Sequence, residues 1–105
     1  VVVDVGSGTG LLSLIASDAG ECEVVACEQS ETMARTCATV LRRHGKLPPS
    51  VRLFRGDAAK LAAGKHVSRR VDLVVSEIVD AGLLGERAIP ILRHVGRALL
   101  GSQGT

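Results

Sequence analysis

The chain has 105 residues, enough for one small domain. Its apolar fraction of 46% is globular, and 13 Lys and Arg against 11 Asp and Glu leave a net charge of +2, too balanced for a nucleic-acid or membrane footprint. Phe54 is the single aromatic residue, which excludes stacking platforms for single-stranded nucleic acid, and no apolar run approaches the length of a membrane span.

Short β-rich runs alternate with helical runs. Val1–Val5 reads as a strand buried on both faces of a parallel sheet. The turn Gly6–Gly10 follows, then Leu11, Leu12, Leu14 and Ile15 at helical spacing, closed by Gly20. Glu23–Cys27 is the second predicted strand. Ser30 is the predicted N-cap of a helix with Met33, Cys37, Val40 and Leu41 on one face, ended by Gly45. Lys46–Ser50 is a loop around two prolines, and Val51–Arg55 the third strand. Residues 57–70 read as a short helix and a basic loop. Val71–Ser76 is the fourth strand, Glu77–Gly85 a loop, and Pro90 sits near the start of a last helix with Ile91, Leu92, Val95 and Leu99 inward. This alternation specifies a parallel α/β sheet with right-handed crossovers. Both ends read as cut, since a buried-type strand begins at residue 1 and the apolar fourth strand is left at an edge. No signal peptide is visible.

Cys22, Cys27 and Cys37 have neither paired nor zinc-ligand spacing, and read as reduced thiols of a cytoplasmic or nuclear protein with no metal site. His44, His66 and His94 are scattered in polar surroundings and are expected to be solvated. The basic cluster Lys65–Arg70 reads as a solvated loop rather than a nucleic-acid contact.

The run Asp4-Val5-Gly6-Ser7-Gly8-Thr9-Gly10 lies between a strand and a helix. Glycines there allow a turn with unusual dihedrals and close approach of a ligand, and the helix start offers unpaired amides. Glu28 stands at the end of the next strand, where a carboxylate can accept from a ribose diol. A phosphate-binding P-loop is excluded because no Gly-Lys-Ser/Thr follows, and the dinucleotide pattern needs G-x-G-x-x-G where this chain has G-x-G-x-G. Asp57, after the third strand, is either an N-cap or a base-reading acid. The segment Ser76–Glu86 carries Glu77 and Glu86 nine positions apart at the carboxyl edge of the sheet. Two converging carboxylates suit a guanidinium, which is planar, always charged and rich in donors.

These motifs are similar to those of S-adenosylmethionine-dependent methyltransferases. The Glu77/Glu86 pair resembles the double-Glu loop of protein arginine methyltransferases, and Asp80 with Gly85-Glu86-Arg87-Ala88-Ile89-Pro90 resembles the monomethylating, type III branch. The resemblance implies part of a Rossmann-like class I methyltransferase sheet, about four parallel strands with flanking helices, forming one cofactor-binding core over residues 1–105. It implies S-adenosyl-L-methionine as cofactor, held by Asp4, Gly6, Gly8, Gly10, Glu28, Asp57 and Ala58. It implies Glu77 and Glu86 as catalytic residues and Asp80 as a substrate contact. The implied partner is an arginine-containing protein, a histone or an RNA-binding protein, with no direct nucleic-acid or membrane contact and a parent that forms a dimer or pseudo-dimer. Two positions depart from the pattern: Ala59 stands where the family has its acid for the adenine amino group, and Gly82 where the branch has a charged residue. The cofactor-covering N-terminal helix, the His-bearing substrate loop and the C-terminal barrel are absent, so weak or no turnover is expected of this chain alone. The competing readings are a methyltransferase for another substrate and a non-catalytic, methyltransferase-like scaffold.

Overall fold

The computed structural model describes residues 1–20, 22–47, 49–78 and 87–105. Four parallel strands, β1 (Val2–Val5), β2 (Val24–Glu28), β3 (Val51–Arg55) and β4 (Leu73–Ser76), form one sheet in the order β3-β2-β1-β4. Three helices, α1 (Leu11–Asp18), α2 (Glu31–Arg43) and α3 (Ala88–Ala98), accompany it, with a single 3₁₀ turn at Ala58–Lys60. β1 and β2 are buried along their whole length, which explains their unbroken Val-rich runs.

Strand alternation divides the core. Val1, Val3, Val5, Val25 and Cys27 pack with Ile91 and Val95 of α3 and with Leu99, its C-cap, on one face. Val2, Val24, Ala26 and Val51 pack with Cys37 and Leu41 of α2 on the other. Helices therefore cover both faces of the sheet, as a parallel sheet requires.

The helix ends follow the sequence signals closely. Ser30 caps α2 by accepting from the Met33 amide. Gly45 sits at φ 65° beyond the end of α2, where the Lys46 amide donates to the Leu41 carbonyl and the Gly45 amide to the Arg42 carbonyl. These two bonds close the helix with a left-handed glycine.

Three expectations need correction. The fourth strand begins at Leu73, because the Val71 amide donates to the Leu99 carbonyl beyond α3. Leu92 is 42% exposed, at the margin of the buried stripe Ala88, Ile91, Val95 and Leu99 of the last helix and its C-cap. His66 and His94 are half-buried rather than solvated: His66 Nδ1 accepts from the Ala62 amide at 3.0 Å, and His94 Nε2 lies 3.0 Å from the Leu61 carbonyl. The outer edge of β4 is met by Thr105, whose carbonyl accepts from the Val74 amide and whose amide donates to Asp72.

Candidate functional site

The carboxyl ends of all four strands open into one cleft of about 490 Å³, within the range of small-molecule sites. Gly6 and Gly8 line it from β1; Glu28, Gln29 and Ser30 from β2; Gly56 and Ala58 from β3; Glu77 and Ile78 from β4; Met33, Arg87 and Ile91 complete it. β1 lies between β2 and β4, so the chain reverses direction across the sheet here, the place where open α/β sheets bind ligands.

The glycine turn is shaped by contacts on both sides. Gly6 has φ 73°, and a β-carbon there would stand 2.2 Å from Cγ2 of buried Ile78. A side chain at position 6 is thus excluded twice, by the backbone and by the β4 loop. The Gly6 and Ser7 amides both donate to the Cys27 carbonyl, fixing the turn against β2. Gly10, at φ 89°, is the N-cap of α1 and has Cys37 Sγ 3.0 Å from the place of a β-carbon.

Glu28 is 9% exposed and faces the cleft. Its Oε2 accepts from the Gly8 amide at 2.9 Å and its Oε1 from the Ser30 amide at 2.8 Å. One bond from each side holds the carboxylate rigid, and a carboxylate retains further acceptor capacity on each oxygen. The glycine turn and the acid after β2 are therefore a single bonded unit.

Asp4 lies behind the turn instead of in the cleft. It is wholly buried, its Oδ2 accepts from the Ser13 hydroxyl at 2.7 Å, and its Oδ1 has no partner. Burial pushes its carboxyl above the usual range; bonding from Ser13 opposes this, and the charges of Glu28 and Glu77 add to it. Gly10 likewise does not line the cleft. Both residues hold α1 against the sheet: Ser13 is the one fully buried residue of α1.

Asp57 acts as the N-cap of the 3₁₀ turn, its Oδ1 accepting from the Ala59 amide at 2.9 Å. Its Oδ2 lies 3.4 Å from Arg87 Nη1. Ala58, beside it, lines the cleft. Cys27 also lines the cleft, but burial, then the charges of Glu28, Asp57 and Asp4, push its thiol up to about 12. It stays protonated and is no nucleophile. Glu77 is exposed at the cleft wall. Asp80 and Glu86 lie outside the described residues.

Several lining residues were not singled out from sequence. Ile78 and Arg87 flank the acidic loop, and Gln29 and Ser30 directly follow the acid of β2, so adjacency to the motifs was the available signal. Arg87 has φ 57°, the one left-handed non-glycine among the described residues, a conformation that costs roughly 1–2 kcal/mol.

A family model described as "Methyltransferase domain" matches residues 2–100. The chain belongs to the methyltransferase-domain family. Over 99 residues it is 40% identical to protein arginine N-methyltransferase 9 of Homo sapiens and 38% identical to protein arginine N-methyltransferase 7 of Drosophila erecta. Each match covers 94% of this chain but only 12% and 14% of those relatives, so the chain spans about an eighth of their length. Among solved structures, Arabidopsis thaliana protein arginine methyltransferase 10 superposes with a TM-score of 0.82 at 25% identity, covering 98% of this chain and 28% of that one. The Trypanosoma brucei PRMT1 enzyme-prozyme heterotetrameric complex with AdoHcy gives a TM-score of 0.83 at 25% identity, covering 97% of this chain and 30% of that one. The cofactor of this methyltransferase domain is S-adenosylmethionine.

The residues present fit that cofactor. The Gly6–Gly8 backbone is bare where a ligand must come close, and Glu28 offers fixed acceptors for a diol. The negative charges of Glu28 and Glu77 suit a sulfonium.

Proposed function

We propose that this methyltransferase domain is the cofactor-binding core of a protein arginine methyltransferase of the monomethylating kind, acting on an arginine-containing protein in the cytoplasm or nucleus. The observation that carries the reading is the position of Glu77. It follows β4 directly and lines the same cleft as the glycine turn and Glu28. The identity of 40% to a relative named as an arginine methyltransferase supports it.

Bound S-adenosylmethionine supplies a methyl group already activated by its sulfonium. The protein's task is then mainly positioning. Glu28 holds the ribose and the glycine turn admits the amino-acid end. Glu77 binds the substrate guanidinium, with Glu86 as its partner and Asp80 as a further contact. A guanidinium cannot be deprotonated beforehand at neutral pH. The two carboxylates instead draw its positive charge toward the nitrogens they bind, leaving the third nitrogen richer in electrons for attack on the methyl carbon. The nitrogen–carbon bond would form as the sulfur–methyl bond breaks, with the cofactor leaving as its neutral thioether, and the proton would then pass from the methylated guanidinium to water.

The test has two parts. Titration calorimetry with S-adenosylhomocysteine should give binding by the wild type and none by Gly6→Val, which drives a side chain into Ile78. In the protein that carries this core, Glu77→Gln should lower methyl transfer to arginine peptides at least about 100-fold with cofactor affinity retained. Full activity in Glu77→Gln would refute the guanidinium role. Cofactor binding without transfer to arginine in the wild type would favour another substrate. Absence of binding by a folded wild type would favour the scaffold reading.

A further inference from the structure

A nucleoside cleft has to hold a flat base, and the cleft of this chain has no ring for it. Phe54, the single aromatic residue, packs against His66 with ring centroids 4.8 Å apart and does not line the cleft. Met33, Ala58, Ile78 and Ile91 offer aliphatic surface only. Among the described residues, one lining side chain carries a planar, delocalised cation: Arg87.

Three observations place that guanidinium at the cleft, on a side chain 65% exposed. Arg87 is the N-cap of α3 in the left-handed conformation, φ 57° and ψ 32°. Its Nη1 lies 3.4 Å from Asp57 Oδ2, and Asp57 is itself held by the Ala59 amide. Residues 57 and 87 belong to different sides of the cleft, one beyond β3 and one at the start of α3, so the pair crosses its mouth. Glycine would adopt this backbone without strain. An arginine here keeps strain in the backbone for the sake of its head group, and such outliers point to function.

With the ribose on Glu28 at the end of β2, the base would reach toward the end of β3, where Gly56 and Ala58 line the wall. We infer that Arg87, anchored by Asp57, stacks its guanidinium on the face of the cofactor's adenine and closes that end of the cleft. The inference rests on the cleft being the cofactor site. It also assigns Asp57 to holding Arg87 rather than to reading the adenine amino group directly. Guanidinium planes stack on aromatic faces through the same attraction that binds cations to rings.

The test is calorimetry of wild type, Arg87→Gly and Arg87→Lys with S-adenosylhomocysteine and with adenosine, beside thermal melts. Arg87→Gly should weaken both ligands by roughly five- to tenfold while melting no lower than wild type. Arg87→Lys keeps the charge without the plane and should lose most of the same affinity. Asp57→Asn should lose part of it, non-additively with Arg87→Gly. Unchanged affinity in Arg87→Gly, with a wild type that binds, would overturn the stacking role and leave the cofactor site standing. A loss confined to S-adenosylhomocysteine would move Arg87 to the amino-acid end and overturn the stacking role as well. A folded wild type that binds neither ligand would overturn both.

Discussion

Asp4 and Glu28 are carboxylic acids near the ends of neighbouring strands and do different work. Glu28 meets two amide donors and faces the cleft, whereas Asp4 is sealed behind the turn with one oxygen unpartnered. Because burial raises the Asp4 carboxyl above its unfolded value, its neutral form is the one the fold favours. The corresponding stability is complete below the unfolded value near 4 and is lost as pH rises through the folded value. Asp4→Asn cannot titrate, so the melting temperature of wild type minus that of the variant should grow as pH falls from neutral toward 4. Parallel melting curves across that range would show that Asp4 does not titrate there. Glu28→Gln places an amide donor against one of two backbone donors. It should weaken S-adenosylhomocysteine about 10- to 100-fold, the worth of a charge-assisted bond, as read by calorimetry, with little change in fold. Both acids stand out in the sequence, because a position near a strand end is a local property. That only Glu28 reaches the cleft was not legible. It depends on Ser13 claiming Asp4 from the other side.

α1 is the element where hydrophobic pattern and burial part company. Leu11 and Ile15 are 61% and 56% exposed, while the helix buries Ser13. Apolar spacing identifies a helix but not which stripe meets the sheet, and here the meeting is decided by one hydroxyl. Ser13→Ala should therefore destabilise the protein by about 1–3 kcal/mol, the penalty for orphaning a buried acceptor, against a few tenths for an exposed Ser→Ala. Urea denaturation measures this, and a change below about 0.5 kcal/mol would mean that α1 is held by its apolar contacts instead. The strands were easier to read. Val-rich runs at β1 and β2 report double burial directly, and Ser30 and Gly45 mark the ends of α2 by their own chemistry. The placement of Arg87 was invisible because it is set by a contact thirty residues away and by a backbone angle no side-chain type announces.

At the scale of the whole molecule, a net charge of +2 hides a strongly uneven field. The cleft gathers Glu28 and Glu77, with Asp4 behind it. Burial first, and then these charges, raise the Asp4 carboxyl and hold the Cys27 thiol at about 12. Apart from Arg87 at the cleft wall, the basic residues lie elsewhere, many on the Lys65–Arg70 loop and the exposed side of α3. A cleft in which two carboxylates face a single arginine, itself paired with Asp57, keeps a net negative potential that low-dielectric walls focus. The cofactor bears a sulfonium and its demethylated product does not, so the same contacts should favour the cofactor by an electrostatic margin. Salt screens such a margin over about 10 Å at 0.1 M. The ratio of S-adenosylmethionine to S-adenosylhomocysteine affinity should thus fall about two- to fivefold between low and high ionic strength, with the product's own affinity nearly constant. Glu77→Gln should flatten that dependence, since it removes the carboxylate most open to solvent, while Arg69→Gln, in the distant basic loop, should leave it unchanged. Competition binding at several salt concentrations measures both. A salt-independent ratio in the wild type would mean that the acids are neutralised within the cleft, and discrimination between cofactor and product would then have to come from shape at the methyl group.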